Sequence, residues 1–106
     1  MATKQSTAEY LVDQMSGAGD VRIRKMFGEY AVYCDDKVVA LICDDMLFVK
    51  PTAAGKSFIG TVVEAPPYPQ AKPHYRIDGD QCEDREWLSM LIAKTADELP
   101  QAKRKK

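Results

Sequence analysis

Three apolar runs between residues 24 and 50, separated by two Asp-Asp pairs, constrain the fold of this chain more than any other feature. The runs are rich in β-branched and aromatic residues, and the acidic pairs at 35–36 and 44–45 have the length and composition of hairpin turns. The pattern therefore predicts a three-stranded antiparallel meander. With two-residue turns, the predicted register pairs Cys34 with Lys37, Val32 with Val39, Tyr30 with Leu41, Cys43 with Met46, and Leu41 with Phe48.

Both faces of this predicted meander are apolar. One face would carry Ala31, Tyr33, Val38, Ala40, Ile42, Leu47 and Val49, and the other would carry Tyr30, Val32, Val39, Leu41, Cys43, Met46 and Phe48. An antiparallel sheet with one face in water normally alternates apolar with polar residues. Two apolar faces therefore predict that both are covered, by helices of this chain or by a second copy, which makes a homodimer one hypothesis.

Length and composition predict one compact domain. The 106 residues, 45% of them hydrophobic, suffice for a single core, and we expect disordered tails at 1–5 and 100–106. No apolar run reaches the length of about 18 residues that a membrane span needs, and the N-terminus lacks the apolar core of a signal peptide. We therefore expect a cytoplasmic protein whose three cysteines, Cys34, Cys43 and Cys82, are reduced.

Helices are predicted on either side of the meander. Residues 6–16 begin with a capping box opened by Ser6 and continue with apolar residues at helical spacing. A second capping pattern, with Asp80 as the cap, opens a C-terminal helix at 81–98. Its apolar stripe includes Trp87, which we expect to pack onto the sheet.

Shorter elements complete the predicted α+β fold, an antiparallel sheet packed with N- and C-terminal helices. The alternating segment 20–27 is either a first strand or an extended lead-in. A small helix is predicted at 52–59 and a brief strand at 61–64. The segment 65–73 holds four of the six prolines and is predicted to be an extended loop, followed by a last strand at 74–77.

The charge balance argues against a protein that binds DNA on its own. Fifteen Lys and Arg residues stand against sixteen Asp and Glu, which gives a net charge of −1 and a pI near 5.8. Proteins that hold nucleic acid through its phosphates usually carry a marked positive balance or a basic stripe. We therefore expect no autonomous sequence-specific DNA binding.

One basic and aromatic patch is a candidate partner-binding site, formed by Arg22, Arg24, Lys25, Phe27 and Tyr30. If Arg22 and Arg24 share one face of a strand, their side chains stand about 7 Å apart, a spacing that suits phosphates or the acidic residues of a partner. The alternative is a solvated strand face without a partner.

The chain carries no convincing catalytic or metal motif. Residues 55–57, Gly-Lys-Ser, match the end of a phosphate-binding loop, but Lys50 stands where its first glycine belongs, and a solvated helix is the alternative. His74 and Cys82 are eight residues apart and form the one available Cys-His pair; a structural histidine is the alternative. No spacing gives a zinc-binding C-x-x-C motif. We predict a protein that is not an enzyme and has no metal or cofactor.

The sequence also resembles a known family. Arg-Lys-Met-Phe-Gly-Glu-Tyr-Ala-Val-Tyr at 24–33, Leu-Phe-Val-Lys at 47–50, Tyr-Pro-Gln-Ala-Lys-Pro at 68–73 and a closing helix with Trp87 are similar to the N-terminal domain of the TfoX/Sxy competence regulators, over about residues 8–98. The resemblance implies an α+β fold with an antiparallel sheet and flanking helices. It implies no catalytic residues.

In that family the full-length regulators carry a second, C-terminal domain and promote transcription of DNA-uptake genes alongside the cyclic-AMP receptor protein. We therefore expect a stand-alone N-terminal domain that acts through protein contacts, as a transcriptional accessory. Its partner would be the transcription machinery or a regulator like the cyclic-AMP receptor protein. The alternatives are a small-ligand or nucleotide-binding module that uses the loop 50–57 or the proline-rich loop, and an enzyme that uses Cys82 with His74.

Overall fold

Six antiparallel strands form one sheet in this computed structural model, which describes residues 3–26 and 28–99. The elements are α1 (Gln5–Met15), a 3-10 helix (Ser16–Ala18), β1 (Val21–Met26), β2 (Glu29–Cys34), β3 (Lys37–Cys43), β4 (Met46–Val49), α2 (Ala53–Ile59), β5 (Glu64–Ala65), β6 (His74–Ile77), α3 (Gly79–Cys82) and α4 (Arg85–Glu98). The strand order is β1-β2-β3-β4-β6-β5. The predicted α+β fold is confirmed, and the meander extends to four strands because residues 20–27 contain a true strand.

The two Asp-Asp pairs form the predicted hairpin turns. Asp35 and Asp36 have φ values of 52° and 70°, and Asp44 and Asp45 have values of 54° and 61°. Two consecutive residues with positive φ are the signature of the turn whose twist matches that of the flanking strands. Aspartate tolerates this left-handed conformation better than most residues, which explains why these pairs end the strands.

A β-bulge changes the predicted register between β2 and β3. Tyr33 pairs with Val38, but the next pair along is Val32 with Ala40, so Val39 is the extra residue. The predicted pairing of Val32 with Val39 is therefore wrong, although the pairs next to both turns are as predicted.

The bulge also changes which residues share a face of the sheet. Beyond it, Tyr30 lies opposite Ile42 and not opposite Leu41. The face that contributes to the core carries Tyr30, Val32, Cys34, Val39, Ala40, Ile42, Leu47 and Val49. The opposite face, which we call the open face, carries Ala31, Tyr33, Val38, Leu41, Cys43, Met46 and Phe48.

All helices lie in one layer, on the core side of the sheet. Helix α4 is central to it, because it contacts α1, α2, α3 and strands β2 and β3. Its residues Leu88, Leu91 and Ile92 are fully buried in the core. Among residues 3–26 and 28–99, no helix lies on the open face. Of the two faces that were predicted to be covered, the helices in this part of the chain therefore cover the core face alone.

The start of α1 is set by a distant residue. The predicted capping box of Ser6 does not form, because the helix already begins at Gln5 and its cap, Lys4, makes no side-chain capping bond. The Lys4 amide instead donates to the Asp45 carboxylate at 2.9 Å. Thr3 is buried and hydrogen-bonded as well, so the expected disordered tail at 1–5 needs correcting from Thr3 onward. Residues 1, 2 and 100–106 lie outside the described residues.

The predicted C-terminal helix is two helices. Asp78, and not Asp80, caps α3 in a capping box with Gln81, and Asp84 caps α4 by accepting a hydrogen bond from the Trp87 amide at 3.1 Å. The single helix predicted at 81–98 is therefore wrong. Two competing caps lie within one helical stretch, and the second of them restarts the helix.

Helix α2 is fixed to α4 at both of its ends. Glu98 accepts hydrogen bonds from the amides of Ala53 (2.9 Å) and Ala54 (2.8 Å), and Thr52 accepts one from the Gly55 amide (2.9 Å). The ring of Trp87 stacks on Phe58 of α2 with 5.5 Å between centroids. Trp87 thus packs against α2 as well as against the core that the helices share with the sheet.

The remaining predicted elements differ only in their limits. The helix predicted at 52–59 is α2 with its cap, and the strand predicted at 74–77 is β6. The brief strand predicted at 61–64 is shifted and shorter, since β5 covers Glu64–Ala65.

Candidate functional site

The structure separates the five residues of the predicted partner-binding patch. Arg22 and Arg24 lie on β1, exposed, opposite Tyr33 and Ala31 of β2, and so belong to the open face. Lys25 follows Arg24 and is therefore directed to the other side of the sheet. Tyr30 is 6% exposed within the core, and Phe27 lies outside the described residues.

A row of side chains crosses the open face from one arginine to another. Arg24 pairs with Ala31, Ala31 with Leu41, Leu41 with Phe48, and Phe48 with Arg76 of β6. Neighbouring strands lie about 4.8 Å apart, so the two arginine Cα atoms are about 19 Å from each other. The row thus has a cation at each end and an apolar centre, in which Leu41 is half-buried while Ala31 and Phe48 are 2% and 6% exposed.

The rest of the open face is apolar and only partly exposed. Met26 and Met46 are 41% and 38% exposed, and Tyr33, Val38 and Leu41 are half-buried. Methionine, tyrosine and arginine are enriched at protein interfaces, where long, adaptable side chains cover a large contact area. The open face has this composition.

The two arginines of β1 differ in whether their guanidinium groups form ion pairs within the protein. Arg22 forms an ion pair with Asp20 at 3.0 Å, and this neighbour raises the pKa of the guanidinium. The side chain of Arg24 makes no hydrogen bond or ion pair with any residue in the described ranges. Arg24 is therefore the cation that a bound carboxylate would meet first.

A groove of about 560 Å³ lies between α1, α3 and the adjoining ends of β4 and β6. It is lined by Thr7, Tyr10, Leu11, Asp45, Met46, Leu47, Arg76, Ile77, Asp78, Gly79, Cys82 and Glu83. Neither the loop 50–57 nor the proline-rich loop, the two ligand sites considered from the sequence, contributes to this lining.

The amides at the start of α2 are occupied. Those of Ala53 and Ala54 donate to Glu98, and that of Gly55 donates to Thr52. A phosphate-binding loop needs free amides that point at the ligand. Residues 55–57 therefore form part of a capped helix and do not cradle a phosphate.

Cys82 and His74 do not form an activated pair. Cys82 is 3% exposed, and burial raises the pKa of its thiol to about 11, whereas a nucleophilic cysteine needs a lowered pKa. The Nδ1 atom of His74 hydrogen-bonds the backbone oxygen of Lys72 at 2.9 Å. Within residues 3–26 and 28–99, no three His, Cys, Asp or Glu residues are grouped so as to hold a metal ion.

Comparison with known proteins identifies the family. Residues 13–99 match the TfoX N-terminal domain, a stretch that contains the whole sheet, α2, α3 and α4. The chain belongs to the TfoX N-terminal domain family. This confirms the resemblance seen in the sequence. The TfoX N-terminal domain is a family of regulatory proteins.

A curated relative of this TfoX N-terminal domain is similar to it along the whole of the present chain. It is an uncharacterized 12.7 kDa protein in the trpE 5′ region of Spirochaeta aurantia, 42% identical over 106 residues. The alignment covers 100% of this chain and 91% of the relative. In the part of the TfoX N-terminal domain that the structure describes, no helix is both long and apolar enough to cross a membrane.

One part of the site was not found from the sequence. Arg76 reaches the open face because β6 pairs with β4, a contact between strands that are separated in the sequence by α2, β5 and the proline-rich loop. Only the alternation of His74, Tyr75, Arg76 and Ile77 could have indicated that Arg76 is directed away from the core, and alternation does not reveal the neighbouring strand.

Proposed function

We propose that this TfoX N-terminal domain is a non-enzymatic regulator that acts by protein contacts, as a transcriptional accessory similar to regulators of DNA-uptake competence. The observation that carries the proposal is the apolar strip of the open face, where the exposed Met46 and the half-buried Tyr33, Val38 and Leu41 are accessible, with Arg24 and Arg76 at its two ends. An apolar strip with a cation at each end suits a protein surface that offers apolar side chains flanked by carboxylates.

The charge of the chain favours a protein partner over DNA. With a net charge of −1, the domain lacks the excess of Lys and Arg that phosphate neutralisation requires. The partner we expect is a component of the transcription machinery or a regulator like the cyclic-AMP receptor protein. In a gel-shift assay the isolated protein should give no sequence-specific complex with DNA.

Two pairs of matched variants test the open face. Met46→Glu places a charge on the open face, and Met90→Glu places the same charge on the outer side of α4, where Met90 is 51% exposed. Arg24→Glu reverses a charge on the open face, and Lys56→Glu does so on the exposed surface of α2. Purified RNA polymerase and a cyclic-AMP receptor protein are passed over each immobilised variant.

We expect the wild type, Met90→Glu and Lys56→Glu to retain one of these partners, and Met46→Glu and Arg24→Glu to lose it. Equal retention by all five proteins would contradict the role of the open face. Absence of retention by the wild type would contradict the proposed partner class. Sedimentation of each protein tests the homodimer hypothesis, because a dimer that only Met46→Glu and Arg24→Glu dissociate would assign the open face to a second copy.

A further inference from the structure

Strand β1 is a long edge of the sheet, and α1 packs against its core side. It has six residues and pairs with β2 on one side, while no other strand in residues 3–26 and 28–99 pairs with its other side. The opposite edge, β5, has two residues and runs directly into Pro66. Short edges and prolines prevent further pairing, so β1 is the edge that could accept another strand.

The hydrogen-bonding pattern shows which backbone groups of β1 are directed outward. The Asp35 amide donates to the Asp20 carbonyl at 3.0 Å, which makes these residues a hydrogen-bonded pair. Such pairs alternate along an antiparallel ladder, so Arg22 and Arg24 also bond to β2. The amide and carbonyl groups of Val21, Ile23 and Lys25 are therefore directed away from the sheet.

The two sides of this edge differ in chemistry. Arg22 and Arg24 lie on the open face, about 7 Å apart, which is the distance between alternate residues of a strand. Val21 and Ile23 lie on the core side, half-buried against it. A strand added here would meet two cations with one of its faces and apolar side chains with the other.

We propose that β1 binds an extended segment of a partner protein, in which acidic and apolar residues alternate, by adding it to the sheet as a seventh strand. The outward amides and carbonyls of Val21, Ile23 and Lys25 would supply the backbone hydrogen bonds, and Arg22 and Arg24 would bind the carboxylates. This inference rests on the proposed function, since it specifies how the domain holds a protein.

The charges of β1 disfavour a second copy in this position. An antiparallel pair of β1 strands that bonds through all three outward residues is centred on Ile23, and it would place each Arg22 opposite the Arg24 of the other copy. Like charges directly opposite each other destabilise a strand pair. An acidic segment turns the same positions into ion pairs. The guanidinium of Arg24 has no partner among the described residues, and that of Arg22, although paired with Asp20, has further N–H donors.

The test uses a fluorescently labelled peptide of alternating Glu and Val residues. Control peptides have the same composition in two blocks, or Lys in place of each Glu. We expect the alternating peptide to bind with at least tenfold higher affinity than either control in fluorescence anisotropy. We also expect Arg24→Glu to weaken its binding by at least tenfold, because one charge-assisted contact is lost and a repulsion replaces it.

Amide hydrogen exchange then distinguishes strand addition from side-chain docking. The amides of Val21, Ile23 and Lys25 should exchange at least tenfold more slowly with the peptide bound, while those of Arg22 and Arg24, already bonded to β2, should change little. Binding without protection of the outward amides would overturn strand addition and leave the proposed function standing. Protection of the outward amides, combined with no retention of the transcription proteins, would support strand addition and overturn the proposed partner class.

A matched pair of variants at Lys25 isolates the backbone contribution. Lys25→Ala removes the charge and keeps the outward amide hydrogen, whereas Lys25→Pro removes both and is tolerated at an edge because no ladder bond to β2 is lost. We expect Lys25→Pro to bind the alternating peptide at least fivefold more weakly than Lys25→Ala, with both variants folded as judged by Trp87 fluorescence. Equal affinities, or no binding by the wild type, would refute the proposal.

Discussion

The first turn of α2 is packed tightly enough at one glycine to make a sharp prediction, because a side chain there would meet the cap of the helix. A Cβ atom at Gly55 would lie 2.8 Å from Thr52 Oγ1, 3.5 Å from Thr95 Oγ1 and 3.6 Å from the Leu91 Cδ1 atom. Thr52 is buried and its hydroxyl caps α2, so it cannot move without losing the hydrogen bond from the Gly55 amide. Gly55→Ala should therefore destabilise the fold, although alanine favours helices.

The magnitude follows from three contributions. Replacing glycine by alanine within a helix stabilises it by about 1 kcal/mol. Loss of the Thr52 cap costs about 1 kcal/mol, which offsets that gain. Because Thr52 is buried, the side chain that gives way to the new methyl group disturbs the packing around it, which costs about 1–3 kcal/mol more. We expect a net loss of about 1–3 kcal/mol in the free energy of unfolding, or roughly 4 °C or more in Tm.

Urea unfolding followed by tryptophan fluorescence measures this loss directly. Trp87 is the single tryptophan and stacks on Phe58 of α2, so its emission reports whether α2 stays docked. Gly79→Ala is the matched control, because nothing lies within 4 Å of a Cβ at that position. It should be neutral or slightly stabilising.

A double-mutant cycle with Thr52→Ala isolates the clash. Removing the hydroxyl costs the cap but makes room for the Gly55→Ala methyl group, so the double variant should lose less stability than the sum of the single losses. A Gly55→Ala protein as stable as the wild type, or strictly additive losses, would refute the packing argument.

Two further predictions concern the titratable groups. Hydrogen bonds from the amides of Ala54 and Ala53 lower the pKa of Glu98 in the folded protein. The contribution of Glu98 to stability is therefore complete above its ordinary pKa of 4.5 and is lost as the pH falls through the lower folded value. Glu98→Gln should flatten the pH dependence of the urea midpoint in this range. Burial raises the pKa values of all three thiols to about 11. A thiol reagent at pH 7 should therefore label the native protein far more slowly than the urea-unfolded protein. Rapid labelling of the native protein would contradict the burial of the cysteines.

The turns were predictable because their signal is local. The register between β2 and β3 was not predictable. Each Asp pair occupies the two positions with positive φ, which few residue types tolerate. The bulge at Val39 lies inside a continuous apolar run, where both faces of the strand carry the same kind of residue. Because alternation carries no information there, a shift by one residue leaves no trace in the sequence.

The predicted helix starts were wrong where the capping residue is distant in the sequence, or where several nearby residues could serve as the cap. The carboxylate at the start of α1 comes from Asp45 in a turn of the sheet, which no local pattern can show. At the C-terminal end, Asp78, Asp80 and Asp84 all have the chemistry of a cap, and the structure uses the first and the last.

For similar reasons, only part of the predicted patch lies together on one face of the sheet. Arg22 and Arg24 do share a face, because alternation within one exposed strand is a local property. Tyr30 was assigned to the same patch from its proximity in the sequence, but it lies beyond a turn and belongs to the core face of β2. Arg76 required knowledge of the pairing between β4 and β6.

The carboxylates of Asp45 and Glu98 tie two helix beginnings to segments more than forty residues away. Neither helix can hold its first turn in this way until the distant segment has arrived, so α1 depends on the completed β3–β4 hairpin and α2 depends on the last turn of α4. A chain cut short before residue 45 would leave α1 without its anchor, and one cut short before residue 98 would release α2. The smallest piece of this protein that can retain both helix ends is therefore nearly the whole of it.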